Sequence, residues 1–147
     1  MSYRKYLETK KEIPCIFCSE EFRATTVRSY DQWFVVPNRA PYCADHLMIV
    51  PHAHFERVGD ISSEAWIEFA LVMREVSDWI YSRDHGGYNL LVRDEQVPGA
   101  VGKSIPHLHF HIVPKNIAIM DNPGERHFYT FPEIMAQVKD ISDSWPC

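Results

Sequence analysis

Chemistry is concentrated in one stretch of the 147-residue chain, Pro106-His107-Leu108-His109-Phe110-His111-Ile112-Val113-Pro114. Extended backbone sends successive side chains to opposite faces, so His107, His109 and His111 share one face while Leu108, Phe110 and Ile112 share the other. Imidazole titrates near neutrality and needs a partner at each ring nitrogen when buried. Three in a row are therefore poor packing material and good reacting material. A neutral imidazole can attack phosphorus and hold it as a phosphoramidate until water opens the bond, splitting one difficult displacement into two easier ones. The ring must be held in one tautomer, and donors must meet the charge on the phosphate oxygens. Gly102-Lys103-Ser104, just before the strand, can supply them.

A second group with chemical potential is Cys15-Ile16-Phe17-Cys18; Cys43 and Cys147 stand alone and read as bystanders. A C-x-x-C pair without a wider cysteine framework points to metal binding or redox chemistry rather than structural disulfides. A closed tetrahedral metal site needs two more ligands from elsewhere. A redox dithiol would sit between the strand and helix of a βαβ unit, which this pair does not.

The elements that must position these residues read as strands, helix, strands, helix. Residues 24–29 and 33–36 are rich in β-branched and aromatic side chains around a Tyr-Asp-Gln turn and predict a hairpin; residues 46–50 predict a third strand, stopped by Pro51. Between Ser63 and Arg83, the residues Trp66, Phe69, Ala70, Met73, Val76 and Ile80 recur at helical spacing and predict one long amphipathic helix. A fourth strand over 88–93, a loop over 94–104 and a fifth strand over 107–112 follow. Thr130-Phe-Pro-Glu133 is a capping box that opens a short final helix, reaching about residue 141, with a role in packing or in completing a site.

Composition sets the limits. One α+β domain over 1–147 can bury a real core at this length. The formal charge of -5 provides no global field for a nucleic acid polymer, so any phosphate must be held by local groups. The polar opening MSYRKYLETKKE has no signal-peptide core and no stretch suits a bilayer, which predicts a cytoplasmic protein without a membrane partner.

Taken together, these landmarks resemble the histidine triad (HIT) family. His-Leu-His-Phe-His-Ile-Val matches its signature of three histidines alternating with apolar residues. Cys15-Ile-Phe-Cys18, Asp45-His46-Leu-Met-Ile-Val-Pro51 with His54 beyond it, and Gly87-Tyr-Asn89 are similar to the family's other landmarks, in the same order. The resemblance implies a five-stranded, mainly antiparallel sheet with one main helix and a short C-terminal helix. The family-like core would span about 13–116, with an extension over 117–147. It implies a homodimer, through the main helix and fourth strand, and a nucleotide hydrolase or nucleotidyl transferase with His109 as nucleophile.

By the same matching, His46, His107 and His111 are catalytic candidates that touch phosphate or handle protons, and Ser104 approaches the phosphate or leaving group. Ile16, Phe17 and Val36 wall the base, Asn38 meets the ribose, and Asn89, Gly102 and Lys103 complete the nucleotide contacts. The substrate class is a purine nucleotide, adenine being the family's usual base, and no organic cofactor is expected. In the zinc-containing branch the metal ligands match Cys15, Cys18, His54 and His107, which implies a structural Zn that fixes the register of the histidine strand. Three functions stand as alternatives: hydrolysis of phosphoramidates, aminoacyl adenylates or dinucleoside polyphosphates; phosphorolysis of dinucleoside polyphosphates; and a nucleotide-binding regulatory or scaffold role. The chain departs from the family pattern at Lys103, Arg93, Asp45 and His52, read as a phosphate or surface lysine, a doubtful phosphate contact and two surface variations. His85 and His127 fall outside every motif.

Overall fold

The computed structural model describes residues 2–116 and 126–146. Five strands, β1 (Arg28–Ser29), β2 (Trp33–Pro37), β3 (Leu47–Pro51), β4 (Asn89–Val92) and β5 (Phe110–Val113), form one antiparallel sheet in the order β1-β2-β3-β5-β4. Helices α1 (Tyr3–Thr9) and α2 (Glu20–Arg23) precede it, α3 (Ser63–Ser82) joins β3 to β4, and α4 (Phe131–Ser144) closes the chain. Among the described residues, no helix is long and apolar enough to cross a membrane.

Alternation along the central strands builds a core on each face of the sheet. Trp33, Val35, Leu47, Ile49, Leu108, Phe110 and Ile112 pack with Ala65, Phe69, Val72, Val76, Trp79 and Ile80 of α3. Phe34, Val36, Met48 and Val50 pack on the other side with Phe17, Phe22 and Ile105. The pairing Met48↔His111 places the third triad histidine on this latter side, opposite α3. Burial of so many large apolar side chains, each worth about 1.5–3 kcal/mol, makes the sheet the rigid part of the molecule.

Several expectations are corrected. The inward stripe of α3 is Ala65-Phe69-Val72-Val76-Trp79-Ile80, rotated from the predicted one; Trp66 and Ala70 face outward, because the Trp33 indole donates to the Ala65 carbonyl at 2.7 Å and fixes which side meets the sheet. The first strand is only two residues long. The Thr25 and Thr26 hydroxyls donate back to the Phe22 and Arg23 carbonyls at 2.6 and 2.7 Å, local bonds that compete with the ladder. The fifth strand begins at Phe110 rather than at His107, since the Leu108 amide donates to the Phe55 carbonyl, at 2.7 Å, beyond the end of β3. Helix α1, capped by Ser2, lies in a segment with no predicted element.

Helix α4 forms as the capping box predicts, with Thr130 and Glu133 each accepting from the other's backbone amide. Its Ile134, Val138 and Ile141 are buried, and Trp145 stacks on Trp79 at 5.7 Å. The segment leading into it runs back along Arg39: the Tyr129 amide donates to the Arg39 carbonyl at 2.8 Å and Arg39 Nε to the Tyr129 carbonyl at 3.1 Å. Of the two roles foreseen for the helix, packing is the one it fills; Arg126 and Phe128, which precede it, close one side of a cavity.

Candidate active site

That cavity opens on the sheet face away from α3. His109 and His111 form part of its floor; Gly102, Ser104 and Ile105 come from the loop before β5; Ile16 and Phe17 from the C-x-x-C turn; and Asn38 from the end of β2. Phe17 meets the His109 ring edge-on, with centroids 4.9 Å apart, and stacks on Phe22 at 4.3 Å. Gly102 has φ 77, a left-handed conformation that glycine adopts without strain and that turns the loop toward the floor. The loop is pinned by the Glu95 carboxylate, which accepts from the amides of Gly99 and Val101, both at 3.1 Å.

The hydrogen bonds of the imidazoles define their tautomers. His109 Nδ1 lies 2.9 Å from the His107 carbonyl, which can only accept; Nδ1 therefore carries the proton and Nε2 keeps its lone pair. The Tyr42 amide donates to His46 Nδ1 at 3.1 Å, so His46 Nε2 carries a proton and donates to His111 Nδ1 at 2.9 Å. In the neutral His111 the remaining proton sits on Nε2. The cavity thus holds a histidine with an open lone pair beside a histidine with a free N–H. Their ring centroids are 4.8 Å apart.

Burial keeps these rings neutral. It is the first cause for each: His109 is pushed down to about 4, with nearby cationic groups adding to the effect, and His46 to about 3, helped by Arg126. His111 is driven well below its usual value, first by burial and then by its histidine and arginine neighbours. A neutral His109 is what nucleophilic attack requires.

The first triad histidine does different work. His107 is fully buried, does not line the cavity, and places Nδ1 3.5 Å from Sγ of both Cys15 and Cys18; His54 Nδ1 is 3.7 Å from Cys18 Sγ. All four ligand atoms lie within 4.8 Å of one another. A tetrahedral zinc with bonds of about 2.0–2.3 Å separates its ligand atoms by roughly 3.3–3.8 Å, which the 3.5 and 3.7 Å spacings match, while the widest pair, at up to 4.8 Å, would have to close on the ion. The outer nitrogens also fit. His107 Nε2 donates to the Pro51 carbonyl at 2.8 Å and His54 Nε2 faces the Glu56 carboxylate at 3.4 Å, leaving both Nδ1 lone pairs for a metal. Four protein ligands leave no open coordination position, as in a structural site.

The remaining expectations divide. His46 sits behind His111, outside the cavity wall, and acts on it by a hydrogen bond. Val36 is fully buried beneath the apolar wall. Asn89 bonds the Lys115 carbonyl at 2.6 Å, away from the cavity, and Lys103 turns outward to the Glu56 carbonyl. Asp45 and His52 are not surface variation. Asp45, at φ 62, holds His85 at 2.7 Å and Arg83 at 3.3 Å. His52 accepts from Arg23 at 3.0 Å, and the same guanidinium holds the Phe17 carbonyl. His127 is exposed, 3.6 Å from Glu133. Cys147 lies outside the described residues.

Sequence reasoning missed Tyr6, Arg39, Tyr42, Met48, Arg126 and Phe128 in the cavity wall. Met48 lies within the Asp45–Pro51 landmark, where strand alternation could have assigned it to the cavity face, and Arg39 and Tyr42 lie between Asn38 and that landmark; Tyr6, Arg126 and Phe128 come from segments distant in sequence, without a motif to flag them.

The HIT domain family model matches residues 19–117. Among solved structures, the chain superposes on the C. elegans NitFhit protein at 18% identity and TM-score 0.66, covering 82% of this chain and 27% of that one. It is also similar to Plasmodium falciparum diadenosine triphosphate hydrolase, solved in complex with Cyclomarin A, at 13% identity and TM-score 0.65, covering 85% and 76%. A Zn-bound histidine triad family protein from Mycobacterium smegmatis gives 16% and 0.61, covering 90% and 98%. At these identities the likeness is one of fold, and the chain spans just over a quarter of the NitFhit protein.

Proposed function

Because this chain belongs to the histidine triad family, with the HIT domain matched over residues 19–117, we propose that it is a nucleotide hydrolase or nucleotidyl transferase acting at an α-phosphorus through a nucleotidyl-His109 intermediate. The observation that carries this reading is the open Nε2 lone pair of a neutral, buried His109 beside the Nε2–H of His111 in one cavity. Attack by His109 Nε2 forms the N–P bond while the bond from phosphorus to the leaving group breaks, its electron pair departing with that group. His111 Nε2–H meets a phosphate oxygen or the leaving atom, and the Gly102 turn and Ser104 border the same space. Water, after losing a proton, then displaces His109 and frees a nucleoside monophosphate. Ile16 and Phe17 line the cavity as an apolar wall that suits a purine, and Asn38, lining the same cavity, is the ribose contact in this reading. The diadenosine triphosphate hydrolase among the similar folds supports a substrate of this kind.

In the same reading, Cys15, Cys18, His54 and His107 hold a zinc ion that ties the N-terminal turn to the strand carrying His109. The protein is a homodimer: β4 lies at the sheet edge with Leu90 exposed, and α3 shows Ile67 and Leu71 to solvent.

The test is intact mass after early quenching of a reaction with an adenosine phosphoramidate. Wild type should carry a nucleotidyl adduct that His109→Ala lacks. Absence of both adduct and turnover across phosphoramidates and dinucleoside polyphosphates would reject the enzyme in favour of a binding protein.

A further inference from the structure

Two arginines in the cavity have no counterpart in the chemistry described so far. The register of β4 on β5, in which Leu91 pairs with His111 and Val92 with Phe110, continues to place Arg93 opposite His109. Arg126 arrives from the C-terminal segment, beyond the residues that the family model matches. Its guanidinium carbon sits 3.8 Å from the centroid of the Tyr42 ring, and Arg93 reaches the Tyr42 hydroxyl at 3.4 Å from the other side. Tyr42 is the post between them. Burial raises its phenol, and the two guanidiniums more than reverse that, holding it below its usual value.

Neither arginine ion-pairs among the described residues. Arg126 Nε and Nη1 are buried atoms with no hydrogen-bond partner among the described residues. Orphaned donors of a buried cation are costly unless an anion arrives to meet them. Among the described residues, no Asp or Glu lines the cavity. Arg39, on the same wall, makes the contrast: it is satisfied by Glu21 at 3.0 Å and by the Tyr129 carbonyl. A planar guanidinium with two free N–H groups matches the paired oxygens of a phosphate.

Resting on the function proposed above, we propose that Arg93 and Arg126 form an oxyanion subsite beside His109 and His111 that binds the phosphate beyond the attacked phosphorus. The substrate class is then a nucleotide whose leaving group is itself a phosphate or polyphosphate, rather than an amine. As His109 Nε2 bonds to phosphorus, the P–O bond breaks and its electron pair stays on the departing phosphate oxygen. The growing negative charge there is met by the two guanidiniums, so this leaving group needs no proton. An amine leaving group must take a proton and gains nothing from adjacent cations. The same subsite chemistry could hold inorganic phosphate as an acceptor in the second step; the assignment here is to the leaving group.

The experiment compares full-length wild type with Arg126→Gln, Arg93→Gln and the charge-preserving Arg126→Lys. Turnover of diadenosine triphosphate is measured against adenosine phosphoramidate, and pyrophosphate binding is measured by calorimetry. Each Gln variant should lower the ratio of kcat/KM for diadenosine triphosphate over phosphoramidate by about 10–100-fold, the scale of one or two charge-assisted hydrogen bonds, and weaken pyrophosphate similarly; Arg126→Lys should recover part of both. An unchanged ratio, whether through equal loss on both substrates or no loss, overturns the subsite. If wild type turns over neither substrate, the catalytic reading fails, and calorimetry still decides the subsite: pyrophosphate affinity that drops in both Gln variants keeps it, and affinity indifferent to them removes it. Nucleoside diphosphate formed only with added phosphate, and lost in Arg126→Gln, would identify the acceptor as occupant and overturn the leaving-group assignment.

Discussion

Replacing His46 tests how the tautomer of His111 is held. The ring is buried, accepts from the Tyr42 amide at 3.1 Å and donates to His111 Nδ1 at 2.9 Å. His46→Ala strands both partners, each at about 1–3 kcal/mol, so with the void left behind the loss of stability should be about 3–5 kcal/mol. The effect on turnover is separate. Without a donor at Nδ1, His111 is free to move its proton there, and the Nε2–H that faces the phosphate is lost in that tautomer. Losing one preorganised donor costs about 10²–10³ in kcat. KM should change less than kcat, because the apolar base wall is untouched and Asn38, whose Nδ2 lies 3.5 Å from His46 Nε2, keeps its bond to the Ala40 amide. His46→Gln, whose amide can donate to His111, should restore about tenfold of the lost kcat. Steady-state kinetics on a phosphoramidate, alongside urea unfolding, reads both effects. If His46→Ala is destabilised yet keeps kcat within about threefold, His46 is only packing and the tautomer argument is wrong.

Acidification should weaken the fold through the same buried rings. The folded His46 titrates at about 3 against 6.5 ordinarily, so the unfolded chain takes up the proton first; stability is complete above about pH 6.5 and is lost as pH falls toward 3. At pH 5 that is about 2 kcal/mol from His46 alone, with His111 acting in the same direction. Urea midpoints at pH 7 and 5 should show this for wild type and less for His46→Ala; equal pH dependence in the two would sink the assignment. Cys18→Ala should abolish zinc stoichiometry measured by elemental analysis and lower the melting temperature, and zinc bound one-to-one by that variant would contradict the ligand set. Gly102→Ala meets no atom within 4 Å but must hold φ 77, so strain of about 1–2 kcal/mol should shift the loop and reduce kcat with KM nearly constant; a fully active variant would show that the turn has no part in positioning.

Much of this protein is legible from its residues in order. Alternation in His-Leu-His-Phe-His-Ile-Val implies a strand with one reactive face, because strand period is a local property; the C-x-x-C pair suggests a metal, and only the family resemblance adds His54 and His107 to it. The capping box of α4 is equally local. Tertiary structure decided what depends on distant partners. The split of the triad is one such outcome: His107 joins the cysteines because Pro51 accepts from its Nε2, while His109 and His111 face the cavity. His46 became a support for His111 only when β3 paired with β5. Arg93 stood out in sequence only as a departure from the family pattern, and Arg126 and Tyr42 had no assigned role, since residues from the end of a strand, a C-terminal segment and a turn meet only after the chain has folded. Spacing along the chain therefore put three histidines on one strand face, from which the family resemblance singles out His109 as the proposed nucleophile, whereas the side chains around the rest of the cavity were fixed by packing across the sheet.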